Sequence, residues 1–191
     1  MTSFTVSRRR FIQTAGAASV LAPTAVKGYS GAEMAPIGSQ QAPQVGMSKW
    51  ALDTPSLCVD LDALETNLAT MERTVSSNGI ASRPHAKTHK CPAIAKLQLE
   101  AGAVGICTAK ISEAVAMFEH GIEQLLMTTT NVTPFKIERA MSLRKSCSGF
   151  IQATDTPANA RLLSEAAQVA GIVADVVVDV DSGGHRTGIT P

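Results

Sequence analysis

Between residues 83 and 90 the chain reads Arg83-Pro84-His85-Ala86-Lys87-Thr88-His89-Lys90. Two histidines and two lysines follow directly on an apolar stretch. Lys87 lies two residues from each histidine, so in an extended chain all three side chains point to one side. A lysine desolvated beside other cations becomes a usable amine nucleophile. The same residues also suit a solvated basic loop, and the local pattern leaves both readings open. His85 and His89 have metal-binding spacing only on a helix; behind a strand that spacing gives no dedicated zinc site.

The elements that must position these residues alternate regularly. Leu57-Cys58-Val59 reads as a short strand ended by Asp60. Leu61, Leu64, Leu68, Met71 and Val75 then recur at helical spacing, with Asn78-Gly79 as the stop. A second strand is expected over Ile80–Ala86, and a helix from Pro92 to Gly102. Strands over Val104–Cys107, Leu125–Thr128, Phe150–Ala153 and Ala174–Asp181 follow. Helices between them are expected to be capped by Ser112, Thr133-Pro134 and Asp155, with Gly121 and Gly171 as two of the stops. Such alternation means right-handed crossovers and a parallel sheet. No G-x-G-x-x-G and no G-x-x-x-x-G-K-[ST] is present, so the α/β class is read as a β/α barrel, whose active face is the carboxyl end of its strands. A complete barrel takes ~250 residues and eight units, and residues 51–191 supply about five, so the barrel is expected to be incomplete.

Composition sets the remaining bounds. The 191 residues are 45% hydrophobic, 17% charged and 4% aromatic, which excludes a disordered chain and leaves the core to aliphatic side chains. A net charge of +1 argues against a nucleic-acid binder. Charge is uneven: residues 1–32 hold Arg8, Arg9, Arg10 and Lys27 without an acid, and an apolar run from Thr14 to Val26 follows. That order is a signal-peptide layout, and the paired arginines before Phe11 resemble a bacterial twin-arginine export signal. The expected organisation is a signal over 1–32, a flexible lead-in over 33–50 and the partial barrel over 51–191. The protein is then periplasmic or secreted, meets the twin-arginine machinery, and has no membrane span. Cys58, Cys91, Cys107 and Cys147 are read as buried core residues, with two disulfides as the alternative.

Three further strings join the first. They are Leu57-Cys58-Val59-Asp60-Leu61-Asp62-Ala63-Leu64-Glu65-x-Asn67, Gly105-x-Cys107-x-Ala109-Lys110-x-x-Glu113-Ala114, and Val178-Asp179-Val180-Asp181-Ser182-Gly183-Gly184-His185-Arg186-x-Gly188. Together with Pro84-His85-x-Lys87-Thr88-His89-Lys90 they resemble the D-threonine aldolase and D-serine dehydratase family, pyridoxal-phosphate enzymes with the alanine racemase N-terminal barrel (fold type III). The resemblance implies that Lys87 forms a Schiff base with pyridoxal 5'-phosphate, that His85 stacks near or orients the cofactor, and that Arg186 faces its ring. It implies a lyase acting on small D-3-hydroxy amino acids, a homodimer in the full-length form, and a divalent metal held only by a C-terminal domain beyond this chain. A surface arginine is the plain alternative for Arg186, and Glu113 is read as a helix-start support. An amino-acid racemase, a non-catalytic pyridoxal-phosphate-binding protein and an inactive truncated remnant stand as the alternatives for the whole.

Overall fold

Asp60 starts the first helix. Its carboxylate accepts the Ala63 N–H at 3.0 Å, satisfying one of the amides that a helix start leaves orphaned. Helix α1, Leu61–Ser77, keeps Leu61, Leu64, Leu68 and Val75 half-buried while Met71 is exposed. Gly79 closes it at φ 67°, and the Ile80 N–H returns to the Val75 carbonyl at 3.0 Å, the left-handed stop expected of Asn78-Gly79.

The computed structural model describes residues 46–191. The signal over 1–32 and residues 33–45 of the lead-in lie outside the described residues. The chain divides after Asn67 into two units. In the described part of the first, Lys49–Ala51 is a single 3-10 turn, with Ser48 Oγ accepting the Trp50 N–H at 3.3 Å. The strand expected at Leu57-Cys58-Val59 does not form: the three residues are exposed and belong to no ladder. A three-residue extended segment without a partner leaves its backbone groups to water.

The second unit holds four parallel strands in sequential order: β1 Ile106–Thr108, β2 Leu125–Met127, β3 Phe150–Thr154 and β4 Asp175–Val178. Helices α2 Pro92–Ala101, α3 Ile111–Glu119, α4 Pro134–Ser146 and α5 Pro157–Ala170 alternate with them. Register sets Ile106, Leu125 and Phe150 in one row and Thr108, Met127 and Gln152 in the next. The apolar members bury against Ala114 and Met117 of α3, Ala140 and Met141 of α4, and Leu163 and Ala167 of α5. Phe150 is the one fully buried aromatic among the described residues, so aliphatic side chains do carry the core.

The strand expected over Ile80–Ala86 shrinks to a single bridge, His85 opposite Cys107. Pro84 explains why. Having no N–H, it cannot donate the next rung, and proline in a sheet is confined to such edges. Two helix starts also differ from expectation. Lys110, not Ser112, precedes α3, because Glu113 reaches back to accept the Ala109 N–H at 2.9 Å and does the capping from inside the first turn. Thr156, not Asp155, caps α5, its hydroxyl accepting the Asn159 N–H at 3.1 Å. The cysteines divide: all four are free, Cys107 and Cys147 buried, Cys91 half-buried and Cys58 exposed. Cys58 is therefore not a core residue, since the segment carrying it is unpaired, and no disulfide forms. Replacing Phe150, 1% exposed, with alanine is expected to destabilise the fold by about 3–5 kcal/mol, read from urea denaturation.

Candidate active site

Every strand of the parallel ladder ends on the same edge, and the chemistry-bearing residues lie there. The Cys107 N–H donates to the Pro84 carbonyl and the Ala86 N–H to the Cys107 carbonyl, both at 2.8 Å. These bonds bring His85 to the carboxyl end of β1. The chain then turns: the Lys90 N–H donates to the Ala86 carbonyl at 2.7 Å and Lys90 takes φ 49°. The extended arrangement expected for His85, Lys87 and His89 thus ends at Ala86. His89 is half-buried, its Nδ1 accepting the Cys91 N–H at 3.0 Å, and burial pulls its pKa down. Lys87 is exposed on the turn, rather than desolvated, and among the described residues no hydrogen bond or ion pair holds its Nζ.

His85 is fixed from both ends of its ring. The Lys87 backbone N–H donates to Nδ1 at 3.2 Å, so Nδ1 carries no proton. The proton of the neutral ring is then on Nε2, 3.2 Å from Thr128 Oγ1, and the Thr128 hydroxyl passes its own hydrogen bond to the Thr108 carbonyl at 3.2 Å. Burial lowers the His85 pKa, and the Lys87 and Lys90 charges lower it further against the opposing pull of Glu113. The imidazole is a neutral plate beneath the turn that carries Lys87.

That turn is pinned from outside. Lys90 Nζ pairs with Glu113 Oε1, while Glu113 Oε2 holds the Ala109 N–H. Glu113 therefore does more than support its helix start, because it ties the lysine-bearing turn to the β1–α3 junction. Partial burial pushes its pKa up, but the Lys90 bond, the Ala109 N–H and the Lys90 charge together hold it below the usual carboxylate range.

Sequence reasoning missed the polar layer around this edge. Thr128 touches His85 from a position 43 residues away in the chain. Asn131 Nδ2 donates to Gln152 Oε1 at 3.2 Å, Asn159 Nδ2 to the Asn131 carbonyl at 2.7 Å, and Thr154 Oγ1 to Asn159 Oδ1 at 2.9 Å. Asn131, Gln152, Thr154 and Asn159 are all buried. The polar run Thr128-Thr129-Thr130-Asn131, placed directly after an apolar strand, is the signal that pointed to it.

Arg186 is exposed on the loop that follows β4, at the same edge, with no bond to His85 or Lys87. The structure thus joins His85 to the backbone of Lys87 and leaves Arg186 separate. Among the described residues no group of three His, Cys, Asp or Glu side chains is arranged to hold a metal ion. No helix among them is long and apolar enough to cross a membrane.

A family model described as alanine racemase, N-terminal domain, matches residues 59–191. The chain belongs to that family. Its relatives within the alanine racemase N-terminal family include a D-threonine aldolase of Arthrobacter sp, 39% identical over 139 residues, or 73% of this chain and 36% of that protein. A D-threo-3-hydroxyaspartate dehydratase of Delftia sp. strain HT23 is 31% identical over 72% of this chain and 36% of its own. The crystal structure of a D-threonine aldolase from Filomicrobium marinum superposes with a TM-score of 0.70 at 43% identity, covering 73% of this chain and 37% of that one. The chain therefore spans little more than a third of the length of the relatives it matches.

Because the Glu113 pKa is lowered in the fold, the stability that its pairing adds is present above the ordinary carboxylate value and is lost as pH falls through the lowered one. The difference in urea midpoint between the wild type and Glu113→Gln should therefore hold steady near neutrality and close only in acid. A difference that closes near neutral pH would show that another group titrates.

Proposed function

We propose that the chain is the lysine-bearing portion of a pyridoxal-phosphate-dependent lyase acting on small D-3-hydroxy amino acids. One observation carries the reading: Lys87, exposed and unpaired among the described residues, stands at the carboxyl edge of a parallel sheet with its backbone N–H bonded to the ring of a histidine whose pKa is lowered. The relatives whose names are D-threonine aldolase and D-threo-3-hydroxyaspartate dehydratase supply the substrate class.

The residues present fit the cofactor. Lys87 is exposed, so its amine is accessible to a carbonyl carbon, and the half-buried His85 ring is held in one orientation beside it. Arg186 adds a cation at the same edge for an anionic oxygen. Pyridoxal phosphate, when bound, supplies a ring that accepts the electron pair left on the substrate Cα. Within the chain, Lys87 Nζ binds the cofactor and is the base available to move the Cα proton. His85 has no free nitrogen and so orients without exchanging a proton. Aldol cleavage breaks Cα–Cβ after loss of the β-hydroxyl proton, giving glycine and an aldehyde. Dehydration instead removes the Cα proton and then the β-hydroxyl as water, giving an enamine that a water molecule hydrolyses to a keto acid and ammonia. Lys87 can serve the second route directly.

Mixing the chain with pyridoxal phosphate should give the yellow absorbance of a protein-bound cofactor, with Lys87→Ala abolishing it and lowering any turnover of D-threonine or D-3-hydroxyaspartate by about a hundredfold or more. A colourless wild type, or an undiminished Lys87→Ala, would overturn the reading. Residues 1–32 are proposed to direct twin-arginine export to the periplasm, a reading supported by Arg8-Arg9 before Phe11. A reporter fused behind them should be exported, and replacing both Arg8 and Arg9 with lysine should stop it; continued export of that variant argues against the route.

A further inference from the structure

The loop bearing Arg186 is closed at its base and clamped inside. Val180 bridges Ile189; the Asp181 N–H donates to the Ile189 carbonyl and the Ile189 N–H to the Asp179 carbonyl, each at 2.9 Å. Within this loop Asp181 Oδ1 accepts two amides, the Gly183 N–H at 2.9 Å and the His185 N–H at 3.0 Å. Its Oδ2 lies 3.2 Å from His185 Nδ1. The Asp181 side chain is only 9% exposed, covered by the loop it holds.

The backbone is shaped to allow this. Gly183 has φ 116°, and His185 has φ 49°, a left-handed region that is uncommon for residues other than glycine. Gly188 completes the return at φ 97°, where an added Cβ would stand 2.5 Å from the Asp181 nitrogen. One carboxylate therefore fixes the residue immediately before Arg186 through both its amide and its ring. Among the described residues Arg186 itself has no partner, so its place depends on that clamp.

We propose that Asp181 is a positioning residue for Arg186, holding the arginine at the carboxyl edge of the sheet so that its guanidinium is presented in one place to the anionic groups of pyridoxal phosphate. The ligand rests on the function proposed above; the clamp does not. Asp181→Asn keeps an oxygen for the two amides and loses the charge facing His185, whereas Asp181→Ala loses all three interactions.

The test has two readouts, on variants whose urea midpoints confirm a retained fold. Trypsin cleavage after Arg186, followed by mass spectrometry, should be about tenfold faster in Asp181→Ala than in the wild type, with Asp181→Asn between them. Affinity for pyridoxal phosphate should fall about tenfold in Asp181→Ala and in Arg186→Ala, and the double variant should bind no more weakly than Arg186→Ala. Equal cleavage rates overturn the clamp, and additive losses of affinity overturn its action through Arg186. Failure of the wild type to bind pyridoxal phosphate overturns the proposed function, and the cleavage rates then decide the clamp alone.

Discussion

The pair of backbone hydrogen bonds between Cys107 and the Pro84–Ala86 segment decides where Lys87 stands. Apart from the Val104 N–H donating to the Ser82 carbonyl at 2.9 Å, they are the backbone pairing of that segment with β1 among the described residues, since Pro84 cannot donate another rung. From them follows the position of His85, opposite Cys107 and within reach of Thr128 on the second strand over. The turn at Ala86–Lys90 then places Lys87 one step beyond the ring. Weakening this short attachment would move the amine and the imidazole together, because each is bonded to the other's backbone or carried by the same segment.

The remaining loops at this edge are held in a related way, with a side-chain group satisfying backbone groups of the loop. Glu113 binds the Ala109 amide and the Lys90 ammonium; Asp181 binds the amides of Gly183 and His185; Asn159 carries the Asn131 carbonyl. Loops that carry function need such supports, since they lack ladder bonds of their own. The bonds that Asn131, Gln152, Thr154 and Asn159 make to one another offset much of the cost of burying them, although Gln152 Nε2 is left without a partner among the described residues.

Local signals were legible and distant ones were not. Pro92, Thr133-Pro134, Gly102 and Gly171 mark helix ends as read, since a proline ring or a positive φ acts within its own turn. Apolar runs located β1 to β4 within a few residues, and the carboxyl-edge placement of His85, Lys87 and Arg186 followed from strand order. Leu57–Val59 had the composition of a strand, but a strand exists only through a partner that composition does not name. The turn at Ala86–Lys90 was hidden for the same reason. Its positive φ at Lys90 coincides with an ion pair to Glu113, 23 residues on. Thr128, too, could be tied to His85 only once the register was known.

A ring with both nitrogens occupied is also indifferent to reaction type. His85 can neither accept a proton at Nδ1 nor release one from Nε2 without giving up a bond that shapes the site. On the function proposed above, selection between breaking a carbon–carbon bond and breaking a carbon–hydrogen bond falls to groups other than this ring. Holding the amine in place and choosing a product are thus separate tasks for His85, which performs only the first.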